Sequence, residues 1–68
     1  MKYAKVVETW GRLSPNGREK KWTLRTGKSG RGKIIAIVTY LPWSGPSVEE
    51  AECYVIAAAR RAGVEVVW

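Results

Sequence analysis

The sequence predicts an α+β domain of order β-β-β-α-β: an antiparallel three-stranded meander with one helix packed on one face and a short C-terminal strand. Two observations carry this prediction. Residues 2–41 hold three segments rich in Val, Ile, Thr, Tyr and Trp, the types that suit a pleated, half-buried surface, with Pro- and Gly-bearing breaks between them. Residues 47–62 then change to helical spacing, and 64–68 return to β-branched residues.

Residues 2–13 (KYAKVVETWGRL) alternate loosely and form the first strand, with Ala4, Val6 and Trp10 expected inward and Tyr3, Lys5 and Thr9 outward. Ser14-Pro15-Asn16-Gly17 turns the chain, since proline presets one turn angle while Asn and Gly tolerate the left-handed region. Residues 18–26 (REKKWTLRT) run back, Trp22 and Leu24 on one side and Lys21, Thr23 and Arg25 on the other. Residues 33–41 (KIIAIVTYL) are apolar on both sides, which predicts an interior strand covered on both faces.

Pro42-Trp43-Ser44-Gly45-Pro46 ends that strand, and Ser47 is the expected helix cap, with Glu50 completing a capping box. Glu49, Glu50 and Glu52 are then placed toward the positive end of the helix dipole and Arg60 and Arg61 at the negative end, with Gly63 as a left-handed stop. At 100° per residue, Val48, Ala51, Val55, Ala58, Ala59 and Ala62 form one face with Tyr54 on its border. Small alanines let the helix lie close to the sheet, with Trp22 and Trp10 expected in the space between, whereas Cys53 and Ile56 point away. A strand, a helix and a further strand make a crossover that brings the last strand in parallel.

At 68 residues the chain is one domain, 1–68, which buries only about 60% of its unfolded surface and has a thin core. The single cysteine, Cys53, forms no bridge within the chain, and no apolar run reaches the length of a membrane span. A reducing cytoplasmic setting is the expectation, nucleoid-associated if the ligand is DNA. The absence of Asp, Gln and His and the single Asn, beside abundant Lys and Glu, suggest a thermophilic source.

Charge is segregated along the chain. Residues 1–33 carry ten of the twelve Lys and Arg against Glu8 and Glu19, a net +8, while residues 34–68 carry Arg60 and Arg61 against Glu49, Glu50, Glu52 and Glu65, a net −2. Such a field on one side of a small body attracts polyanions. The densest part is Leu24–Lys33, LRTGKSGRGK. A nucleotide-binding P-loop needs a glycine where this chain has Trp22, and it leads into a helix, whereas this loop leads into a strand. Three glycines with uncovered N–H groups among Arg25, Lys28, Arg31 and Lys33 suit a flexible tip that grips phosphates.

These features predict a small, basic nucleic-acid-binding protein, DNA favoured over RNA, that reads little base sequence. The expected contacts are Lys5, Arg18, Lys20, Lys21, Thr23, Arg25, Lys28, Ser29, Arg31 and Lys33, with Tyr3 and Trp43 as stacking candidates. No enzyme is expected: without His or Asp the familiar triads and His–carboxylate metal sites cannot be assembled, and Cys53 has no base beside it. No metal, membrane or small-molecule cofactor is implied. The alternative is an interaction or homodimeric assembly module in which strand 3, Ile56, Cys53 and Trp68 meet a partner. The order of elements resembles three-stranded-sheet-plus-helix DNA-binding domains in topology alone, and no family motif accompanies it.

Overall fold

The computed structural model describes residues 2–68 as five elements: β1 (Tyr3–Ser14), β2 (Gly17–Thr26), β3 (Ile34–Tyr40), α1 (Gly45–Ala62) and β4 (Glu65–Val67). The sheet order is β3-β2-β1-β4. β1–β2 and β2–β3 are antiparallel, as expected of a meander, and the last strand comes in parallel, as expected of the crossover, beside β1, so the four-stranded sheet is mixed and not purely antiparallel. The crossover carries the last strand to the far edge of the sheet.

The body measures 41 × 22 × 14 Å, and a strand rising about 3.3 Å per residue explains the long axis: the 12-residue β1 spans it. β3 is shorter, and its last residue, Tyr40, pairs with Lys20, which pairs with Trp10. Beyond that rung the hairpin runs on without β3 beside it. Trp10 is therefore 59% exposed, correcting its expected place under the helix. A bulge between Trp10 and Leu13 adds one residue to β1 in this overhang.

The core is Ala4, Val6, Leu24, Val55, Ala58 and Ala59, with Trp22, Ile35, Ala36, Val38, Val64 and Val66 around it. A second bulge sets Leu24 opposite Ala36 but Arg25 opposite Ile34, so β3 holds one extra residue there. Consecutive Ile35 and Ala36 both pack on the core in consequence, while Ile34 and Ile37 are half exposed on the other face. The expectation of an interior β3 is overturned: it is an edge strand, and it is covered on one face only because α1 is the one helix among the described residues.

The helix also begins early, its cap lying three residues before the expected Ser47. Ser44 is the N-cap, its hydroxyl accepting from Ser47 N at 3.4 Å, and Pro46 sits in the first turn, where a missing N–H costs nothing. The Ser47 hydroxyl accepts from Leu41 N instead, and no acidic residue falls in the first turn, so neither the capping box nor the acidic start occurs. The end is as expected. Arg60 and Arg61 occupy the last turn, and Gly63 at φ 68° lets its own N–H and that of Val64 reach the Arg60 and Ala59 carbonyls. Of the expected apolar face, Ala51, Val55, Ala58 and Ala59 are buried, Val48 is half-buried and Ala62 is exposed. No helix among the described residues is long and apolar enough to cross a membrane.

Where the helix stops covering the sheet, a polar network closes its rim. The Tyr40 ring lies 4.4 Å from Trp22, its hydroxyl donates to Glu8 at 2.8 Å, and Lys20 pairs with Glu8 at 3.3 Å while standing 4.3 Å over the Trp10 ring. The Tyr40 hydrogen bond, opposed by partial burial and aided by Lys20, lowers the Glu8 carboxyl below its ordinary value. Burial, then the neighbouring Glu8 carboxylate, pushes the Tyr40 phenol up from 10.0 to about 12. Because the folded state ionises later than the unfolded chain, this contribution to stability is complete below pH 10 and lost as pH rises through about 12. Ultraviolet titration is expected to show a tyrosine ionisation near pH 12 that is absent in Tyr40→Phe. A Tyr40→Phe chain that keeps this late step would contradict the burial described.

Candidate nucleic-acid interface

Alternation along the paired strands sorts the basic residues between two faces. Lys5 pairs with Arg25, Val7 with Thr23, and Thr9 with Lys21, and the next rungs bring Ile34, Ile37 and Thr39 onto the same face. With Tyr3 and Val67, these residues form the face away from the helix core. It is the face the alternation of the sequence anticipates, with Val7, Ile34 and Ile37 added as an apolar floor. Thr23, only 7% exposed, lies beneath its neighbours and offers no contact to a ligand.

The 27–33 loop is not the flexible tip expected of a glycine-rich segment. Thr26 N donates to Lys33 O at 2.9 Å, Lys33 N donates to the Thr26 hydroxyl at 3.0 Å, and Gly27 N donates to Tyr3 O at 2.7 Å. Arg25 reaches into the loop to donate from Nη1 to Gly32 O at 2.8 Å, and Arg31 N donates to the Ser29 hydroxyl at 3.3 Å. Gly30, at φ 79°, is folded against the outer face so closely that a Cβ there would stand 3.0 Å from a Val7 methyl and 3.5 Å from Lys5 Cγ. Only glycine meets both the backbone angle and the space. The loop is thus anchored beside Lys5, with Lys28, Arg31 and Lys33 exposed on it.

Several of the cations are already oriented by neighbours. Lys28 Nζ sits 4.2 Å over the Tyr3 ring, and Lys5 Nζ donates to Trp68 O at 2.9 Å. The Tyr3 ring is thereby covered by an ammonium on one side, a poor arrangement for stacking a base. The carboxylates on this face are Glu65, paired opposite Tyr3 on β4, and Glu19 at the far end beside Gly11. Neither is ion-paired with these cations among the described residues.

Two expected contacts belong elsewhere. Lys20 and Arg18 alternate onto the helix side of β2, opposite Trp10 and Leu13, and Lys20 is held by Glu8. Trp43 is also remote: its ring crosses Gly17 at the hairpin tip, 3.1 Å from where a Cβ would stand, at the opposite end of β1 from Tyr3. What remains together is Lys5, Lys21 and Arg25 on the sheet with Lys28, Arg31 and Lys33 on the loop. Among the described residues no three His, Cys, Asp or Glu are grouped to hold a metal ion. No protein-family model, curated protein or solved structure matches this chain.

Proposed function

We propose that this protein binds nucleic acid, duplex DNA ahead of RNA, by laying its uncovered sheet face and the 27–33 loop along the phosphate backbone, largely without reading base sequence and without catalysing a reaction. The observation that supports this is the register that sets Lys5 against Arg25 and puts Lys21 on the same face, with Gly30 holding a tribasic loop against it. Anchored cations lose less side-chain freedom on binding than mobile ones, and loop N–H groups add donors for phosphate oxygens. Side chains and the loop raised from this four-stranded sheet can enter the wide major groove of B-form DNA, whereas the deep, narrow major groove of A-form RNA admits none. Asn and Gln, the bidentate readers of adenine, are absent from this face among the described residues, and its lysines and arginines are assigned to phosphate contacts. Titrating short duplexes at several salt concentrations tests the proposal. With about five phosphates neutralised, log affinity is expected to fall with log salt at a slope of about −4 to −5, alike for unrelated sequences. A slope near zero contradicts phosphate binding.

A further inference from the structure

The two edges of the sheet are unequal. β4 is three residues long and includes Glu65, a short, charged edge of the kind that resists pairing. β3 is last in the sheet order on the other side, seven residues (IIAIVTY) with no charge and no proline between Lys33 and Pro42, and its bulge at Ile35 leaves Ala36–Tyr40 regular. One side of its backbone has no strand beside it. Apolar groups flank the same edge on both faces: Ile34 and Ile37 are 51% and 50% exposed on the outer face, and on the helix side an open groove of about 390 Å³ runs between Ile35 and Ala36 and the helix residues Tyr54, Ala58 and Arg61.

The helix bordering that groove is charge-complementary to itself. At 100° per residue, Glu50, Tyr54 and Arg61 fall within roughly 40° of one another, on the stripe that faces β3. All three are exposed, and neither Glu50 nor Arg61 is ion-paired within the chain among the described residues. A two-fold axis perpendicular to the sheet and passing near Ile37 would bring β3 antiparallel to its copy. The two helices would run antiparallel above the junction, and each Glu50 would face the other copy's Arg61.

We infer that the β3 edge is the site of a homodimer in which two copies form one eight-stranded sheet. The occupant is a second copy because the complementarity is two-fold: the acid and base of one stripe exchange partners on inversion of the helix direction, as an isologous contact requires. The two outer faces become continuous, and the paired Ile37 side chains cover each other. The inference concerns self-association and stands independently of the nucleic-acid reading.

Sedimentation equilibrium of the full chain tests it. The wild type is expected to dimerise, and Ile37→Lys, a charge on an exposed edge position, to raise the dissociation constant by at least about tenfold, while thermal melts read at concentrations where both chains are monomeric coincide. Glu50→Arg and Arg61→Glu are each expected to weaken the dimer, and the double exchange E50R/R61E to restore it. A wild-type chain that stays monomeric at every concentration overturns the inference. So does a dimer indifferent to Ile37→Lys, or a double exchange no better than the single variants, since these place the contact elsewhere.

Discussion

Leu24→Ala is expected to leave little folded protein at room temperature. Leu24 is 1% exposed in a central strand, its register partners are Val6 and Ala36, and it packs in the cluster that the helix closes with Val55 and Ala59. Among the described residues Leu24 and Val55 are the large side chains fully withdrawn from water, and half of the eight buried apolar residues are alanines. Alanines allow the helix to approach the sheet, and they also mean that no neighbouring side chain has length to spare for filling a hole. Removing a leucine from such a site costs about 3–5 kcal/mol, against a total stability of about 3–5 kcal/mol for a core of this size. Circular dichroism on heating is the measurement: a fall in melting temperature of at least about 15 °C, or loss of the cooperative transition, is expected. A shift of a few degrees would show that the core does not centre on this residue.

The double variant Lys28→Ala/Arg31→Ala is expected to weaken duplex binding by about 10- to 100-fold near 0.1 M salt, since each phosphate contact is worth about 0.9 decade there through counterion release. The salt slope is expected to become shallower by about two units, equally for unrelated duplexes. The fold is expected to survive, because the loop is closed by Thr26, Arg25, Ser29 and backbone groups, none of which the variant touches. A fluorescence anisotropy titration beside a thermal melt separates the two effects. Unchanged affinity with an unchanged melt would remove the loop from the interface.

The alternation of β2 made the outer face legible. Lys21, Thr23 and Arg25 share a side opposite Leu24, and the phase of β1 that puts Tyr3, Lys5 and Thr9 with them is the phase observed. The helix was equally readable from its apolar stripe and Gly63. Its start was not, because two serines compete for the cap, and Pro46 between them favours Ser44 by occupying the first turn. The edge position of β3 was hidden by a bulge: one extra residue lets Ile35 and Ala36 face the same way, so a strand apolar on both sides in sequence is buried on one. Strand length misled for Trp10, whose alternation is right but whose rung lies where the helix no longer covers the sheet. The loop's anchoring was invisible for a different reason. Its hydrogen bonds run to Tyr3 and within 25–33, and the close approach of Gly30 to Val7 depends on tertiary contact that local composition does not encode.

Placing Arg18 and Lys21 on opposite faces of one strand provides the most direct measurement, because Lys21→Glu and Arg18→Glu change the net charge equally and alter only where the change sits. Duplex affinity of the two variants should be compared at one salt concentration, with melts to establish that both are folded. Lys21→Glu is expected to weaken binding at least about tenfold and Arg18→Glu less than about threefold, the residue of long-range attraction. Equal losses, or a larger loss at Arg18, would contradict an interface on the uncovered face of the sheet.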